Sequence, residues 1–477
     1  MIPVAQVTDA PVAPVADIPV ARVVDALRTR FDARITRSRR WRRDQLRALR
    51  RMLVENRPVV EQALRTDLGK HPTEAVITEI GMVIAEIDYA LPRLRRWMRG
   101  RTVPLPLTLA PARGRIAPEP LGVVLIIGPW NYPLQLVLNP LVGALAAGNA
   151  AVVKPSELAG ATSALLADLL PRYLDRRAVA VVEGGADVTG ELLEQRFDHI
   201  FFTGSEKVGA IVAAAAARTL TPVTLELGGK SPAYIDDSVD LAVAARRIMW
   251  GKLLNAGQTC VAPDYLLATP ATARALLPHL ERAARELYGA DAKTNPDYGR
   301  IVTARHTERL AGMLADAEPA FGGDVSVADR YVAPTVVDAV AADSPLMQEE
   351  IFGPILPIVH VGSAAEARAF IRARPKPLAA YVFSRRRRVR RAFLAETSSG
   401  GLSFGVPAAH LGAPQLPFGG VGASGMGSYH GEQSFRTFSH RKSVLDKPLL
   451  PDTMRLAYPP YRGRVKALLL RLMVRGR

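Results

Sequence analysis

The run Leu121-Gly122-Val123-Val124-Leu125-Ile126-Ile127, closed at once by Gly128-Pro129, limits the possible folds of this chain more than any other feature. A strand with one wet face alternates polar and apolar residues; a short continuous apolar run reads instead as a parallel strand covered on both faces. Such a strand needs helices above and below it, and the chain supplies them. Helical spacing over 134–147 is followed by the strand-like 150–153. Then come a helix over 158–173, a strand over 178–182, a helix over 188–195, the strand His199-Ile200-Phe201-Phe202 and an Ala-rich helix over 208–218. This alternation specifies α/β architecture with a doubly wound parallel sheet.

The flanks differ. Residues 23–98 place apolar residues three and four apart among charges, which predicts helix, while the prolines of 103–109 predict an extended connector or edge strand. A second α/β region runs over about 227–411, and the glycine-rich stretches 416–421 and 425–429 exclude a regular helix interior. At 477 residues the chain exceeds one hydrophobic core, so two or three domains are expected.

A single cysteine excludes a disulfide framework and a cysteine-rich metal site, and fits a reducing, cytoplasmic compartment. Residues 1–21 contain no Lys or Arg and are read as a disordered tail, not a secretory signal. No stretch of about 18 apolar residues is present to span a bilayer. Lys and Arg total 62 against 45 Asp and Glu, a net charge of +17, with concentrations at 34–51, at 385–391 and in the last sixteen residues. These runs lack interleaved aromatics, so no nucleic-acid partner is expected, and all but the carboxyl-terminal one read as solvated helix faces. In the last run, spacings of seven and four put Arg464, Arg471 and Arg475 on one face of a helix, with Val465, Leu468, Leu469 and Leu472 beside them. Too short to cross a membrane, this basic amphipathic helix suits either peripheral contact with an anionic bilayer or docking on the protein itself.

The lone thiol, Cys260, ends the run Asn255-Ala256-Gly257-Gln258-Thr259-Cys260, whose small residues suit a tight turn with free amides; Glu226, beside Gly228-Gly229, is a candidate base. Thr203-Gly204-Ser205 between strand and helix suits a phosphate at a helix N-terminus, or a plain N-cap. Its glycines, Gly204 and Gly209, are spaced GxxxxG and not GxGxxG. Lys154 and Glu157 follow another strand at the sheet edge where ligands bind. Asn131, in the turn Gly128-Pro129-Trp130-Asn131-Tyr132-Pro133, either satisfies its own turn or donates to a developing oxyanion. Glu350 and Phe352 lie in Glu349-Glu350-Ile351-Phe352-Gly353-Pro354, a second acidic site.

Together with Pro118-Glu119-Pro120-Leu121-Gly122-Val123-Val124, Arg196-Phe197-Asp198-His199, Leu220-Thr221-Pro222, Met426-Gly427-Ser428-Tyr429-His430-Gly431 and Phe438-Ser439-His440-Arg441, these motifs occur in the order seen in aldehyde dehydrogenases. The chain resembles the class 3 branch in particular, with its fatty-aldehyde, aromatic-aldehyde and coniferyl-aldehyde enzymes, over about residues 23–445.

The resemblance implies a Rossmann-type cofactor domain (22–99 and 120–226), an α/β catalytic domain (227–413), a small β bridging element for oligomerisation (100–119 and 414–445), and a basic extension from 446 to 477. It implies Cys260 as nucleophile, Glu226 as general base, and Asn131 with the Cys260 N–H as oxyanion hole. For NAD, with NADP possible, it implies Lys154 and Glu157 at the adenosine ribose, and Thr203, Gly204, Ser205 and Gly209 near the pyrophosphate. Glu350 and Phe352 would then sit at the nicotinamide ribose and ring, with Leu227 and Gly228 also in the cofactor site. Tyr132 and His430 would line the substrate pocket, no metal is implied, and the protein would be a homodimer. The expected product is the free acid, because relatives that form acyl-CoA generally lack the glutamate. Two departures from the class 3 pattern are Ser205, where Asn is common, and Ala256, where a second Cys is common. The rival readings are a thioester hydrolase and a non-catalytic basic binding protein; neither uses Lys154, Glu157 and Ser205.

Overall fold

The computed structural model describes residues 19–475, so the expected tail, apart from its last three residues, lies outside the described residues. Helix begins at Val20, inside the stretch read as tail: Val20, Val23, Val24, Leu27 and Phe31 form a buried stripe on the helix Val20–Asp32.

Six strands make the first sheet, in the order Gly425–Met426, Val223–Glu226, His199–Thr203, Val123–Ile127, Ala150–Lys154, Val179–Val181. All pair in parallel except Gly425–Met426, which runs antiparallel to Leu225 and Glu226. Every residue of Val123–Ile127, Ala150–Lys154 and His199–Thr203 is buried, as continuous apolar runs require. The helix Gln135–Ala147 is buried on all sides, with the sheet beneath and the helices Arg39–Glu55, Gly81–Arg99 and Gly431–Thr437 around it. That explains a helix with no polar face.

A second sheet has seven strands, in the order Pro319–Phe321, Thr335–Val337, Ile355–His360, Tyr265–Ala268, Pro232–Ile235, Ala379–Phe383, Gly401–Phe404, parallel apart from the first. A third, antiparallel sheet joins Arg101–Val103, Arg113–Pro120 and Ser439–Asp446, the last two paired over eight residues. Only the part of 414–445 from Ser439 onward joins it; Gly425–Met426 caps the edge of the six-stranded sheet instead. Within 103–109 the extended segment ends early, and Leu107–Leu109 close a 3₁₀ turn. In the runs at 34–51 and 385–391 the arginines are exposed or partly exposed, except Arg42, which is buried and donates to the Ala146 carbonyl at 3.1 Å. The helix Arg464–Arg475 forms at the expected place.

Candidate active site

Strand register brings the candidate groups to one edge of the first sheet. Ile127 pairs with Lys154 and with Phe202, and Thr203 with Glu226, so the ends of four neighbouring strands open on the same side. Gly204 N–H donates to the Glu226 carbonyl (3.0 Å) and Gly128 N–H to that of Lys154 (3.0 Å), which locks these ends together. From Glu226 the chain passes through Gly228 and Gly229 to Pro232–Ile235 of the second sheet. Glu226 therefore sits where the two sheets are joined.

The loop that leads to Cys260, the candidate nucleophile, is wound unusually. Asn255, Ala256 and Gly257 take φ of 53°, 51° and 78° in succession, and two non-glycine residues in the left-handed region cost roughly 1–2 kcal/mol each. Packing holds them there: a Cβ on Gly257 would lie 2.2 Å from the Gly353 carbonyl. The turn delivers Cys260 half-buried, with the N–H groups of Cys260 and Val261 directed at its sulfur. Behind it the Tyr381 hydroxyl donates to the Val261 carbonyl at 2.6 Å.

Burial, with Glu350 and Glu226 nearby, pushes the Cys260 thiol up strongly. Glu226 is itself buried, neither carboxylate oxygen has a hydrogen-bond partner, and burial raises its pKa well above the ordinary carboxylate range. Glu350 is pushed up to about 8 by burial and by Asp264. Burial thus favours the neutral form of the thiol and of both carboxyls.

Asn131 is buried, and its side-chain amide donates to the Gln258 carbonyl at 3.0 Å, two residues before Cys260. The adjacent Tyr132 hydroxyl meets Thr259 Oγ1 at 2.6 Å. These two candidates therefore lie against the nucleophile loop. His430 is buried one step further away, against Tyr429 and Phe418, with burial lowering its pKa to about 4. It is Tyr429, which sequence reasoning did not single out, that shares the surroundings of Glu226 and Cys260.

The cofactor candidates fall into two groups. Lys154, buried, reaches Glu157 Oε2 at 3.0 Å; Thr203 Oγ1 is buried without a partner; and Ser205 caps the helix Glu206–Arg218 by accepting from Val208 N–H at 3.4 Å. Glycine at 209 leaves room for Leu227, whose Cδ2 would lie 2.6 Å from an added Cβ. In the second group, Glu350 lies against Gly228, where a Cβ would come within 2.0 Å of Oε2, and Phe352 packs edge-on against Trp130 at 5.3 Å. Thr203, Ser205 and Lys154 at the carboxyl edge of a parallel sheet fit a dinucleotide, with an orphan hydroxyl, a helix N-terminus and a cation available to it. Among the described residues no group of three or more His, Cys, Asp or Glu side chains could hold a metal ion.

Sequence reasoning also missed Lys70, Glu74 and Glu79. All three reach this site from the amino-terminal helices.

A model described as "Aldehyde dehydrogenase family" matches residues 3–444. A rat protein described as "Aldehyde dehydrogenase, dimeric NADP-preferring" is 50% identical over 91% of this chain and 96% of its own length. Mouse "Aldehyde dehydrogenase family 3 member A2" is 50% identical over 91% of this chain and 90% of its own length. The substrate-bound structure of Staphylococcus aureus AldH superposes with a TM-score of 0.92 at 44% identity, covering 94% of this chain and 98% of that one.

Proposed function

The chain belongs to the aldehyde dehydrogenase family, and from that premise we propose that it oxidises a lipophilic aliphatic or aromatic aldehyde to the free carboxylic acid with NAD(P). The observation that carries this reading is the meeting of a half-buried thiol, a buried carboxyl with both oxygens unpartnered, and an amide tied to the thiol's own loop.

Cys260 attacks the aldehyde carbon as thiolate, its proton having passed to the carboxylate form of a neighbouring glutamate. The oxyanion that develops is met by the second N–H of the Asn131 amide, the first being held by Gln258, and by the Cys260 backbone N–H. NAD(P), when bound, would supply the hydride acceptor needed to take the Cys260 thiohemiacetal to a thioester. Lys154, Glu157, Thr203 and Ser205 would hold the adenosine and pyrophosphate end, and Glu350 and Phe352 the nicotinamide end. Glu226 then takes a proton from water, which attacks the thioester and releases the acid. The missing hydrogen-bond partners of Glu226 favour this role, since a free buried carboxylate has its lone pairs available to water.

The NADP preference in the rat relative's description and the carboxylate of Glu157 pull in opposite directions. Glu157 is half exposed and already neutralised by Lys154, so it turns aside at modest cost, and we infer that NAD is preferred and NADP accepted. The same relative's description as dimeric supports a homodimer, with 100–119 and 414–445 as the bridging element. Leu449, Leu450, Tyr461 and Leu468 are exposed around the terminal basic helix, which supports peripheral contact with anionic membranes from which a lipophilic aldehyde is drawn. No helix among the described residues is long and apolar enough to cross one.

Acid quench during turnover, followed by peptide mass spectrometry, tests the chemistry. The substrate's acyl group is expected on Cys260, and Cys260→Ala is expected to lose dehydrogenation while binding NAD normally. Turnover by folded Cys260→Ala would exclude the covalent route.

A further inference from the structure

Two buried charges from outside both large sheets grip the loop that carries Asn131. Gly69, at φ 66°, ends the helix Arg57–Leu68 and turns the chain so that Lys70 points inward. The chain then re-enters helix through Pro72–Ala75 and a π-helical turn at Val76–Ile80 before continuing as Gly81–Arg99. Such widened turns tend to occur at functional sites, and here one carries Glu79. Lys70 and Glu79 are wholly buried and form an ion pair.

Each end of the pair holds one end of the loop. Lys70 Nζ donates to the Asn131 carbonyl at 3.0 Å and lies 3.9 Å from the centre of the Tyr132 ring. Glu79 Oε2 accepts the N–H groups of Leu134 and Gln135, both at 3.0 Å. Cation meets carbonyl and anion meets amide, so both ends of the loop are tied down. A second contact ties the same carbonyl to the nucleophile turn: Asn255 Nδ2 donates to it at 2.8 Å, while Asn255 N–H is held by Glu74 at 2.8 Å.

Stability alone does not account for the arrangement, because an apolar pair of similar volume generally does as well as a buried ion pair. We propose that the Lys70–Glu79 pair is a positioning device for the oxyanion donor: it fixes the 131–135 loop so that the Asn131 amide faces the substrate oxygen as charge develops. The proposal rests on the reading of Asn131 as that donor. Both residues act through Asn131 and touch no substrate.

The test is a double-mutant cycle on the full-length protein. Lys70→Met/Glu79→Gln, which removes both members of the pair together, is made with and without Asn131→Ala; Lys70→Met alone accompanies it. Aldehyde kcat and KM are measured, together with cofactor-free acylation of Cys260 by p-nitrophenyl acetate, which passes through the same oxyanion. NAD affinity and the melting temperature serve as controls.

Asn131→Ala should lower both rates by about 10²- to 10³-fold. Lys70→Met/Glu79→Gln should lower them by about 10- to 100-fold, with KM and NAD affinity nearly unchanged. In the Asn131→Ala background the further loss should be under about threefold, because the donor being positioned is gone. A loss that multiplies fully in that background, wild-type rates in the folded variant, or failure of this neutral variant to fold would each overturn the proposal. Undiminished rates in Asn131→Ala would instead overturn the oxyanion reading on which it stands.

Discussion

Replacing Glu226 by Gln separates the two halves of the reaction. The side chain keeps its shape, and one buried polar group without partners replaces another, so folding stability should change by no more than about 1 kcal/mol. What disappears is the base. General-base assistance is worth about 10²- to 10⁴-fold, or roughly 3–5 kcal/mol of barrier, and only release of the thioester should feel it. Rapid mixing should therefore give a burst of about one NADH per active site at near the wild-type rate, then a steady state slowed by that factor. The pH profile adds a signature. Because burial raises the Glu226 pKa, its base form grows as pH rises through a range above that of ordinary carboxylates, so wild-type acyl release should quicken there. Glu226→Gln should not respond over the same range. Steady turnover within about threefold of wild type would refute the assignment as base. Loss of the burst itself would place Glu226 at thiol activation and not at acyl release.

Two further outcomes follow from the same geometry. Glu157→Gln removes a carboxylate that would face a 2′-phosphate while leaving Lys154 free to meet it, so the ratio of kcat/KM for NADP to that for NAD should rise about tenfold; an unchanged ratio would remove Glu157 from the ribose site. Ending the chain at Pro460 deletes the helix Arg464–Arg475, and flotation with anionic vesicles should recover the full chain and lose the shortened one. Equal recovery of both would exclude that helix as the membrane contact.

The parts of this molecule that were legible in its sequence are those whose signal is local. Continuous apolar runs announced strands covered on both faces, and the small residues before Cys260 announced a tight turn. What stayed hidden depends on partners far along the chain. Lys70 is 61 residues from the carbonyl it holds, and in a charge-rich helical region its sequence context is that of a solvated lysine. Glu79 is inward-facing on a π-helical turn that leaves no sequence signature, so ordinary helical periodicity gives no warning of it. Alanine at 256 likewise gave no hint of a left-handed backbone, because the 254–260 turn is imposed by the Gly353 backbone packed against Gly257. The same distinction explains Gly425–Met426: two residues carry too little pattern to mark a strand, and only the free edge of Val223–Glu226 makes them one. The chemical groups were therefore readable as residue types in motifs, whereas the supports that aim them are long-range and mostly charged. A variant enzyme with every catalytic residue intact can accordingly still fail through positions that look like surface.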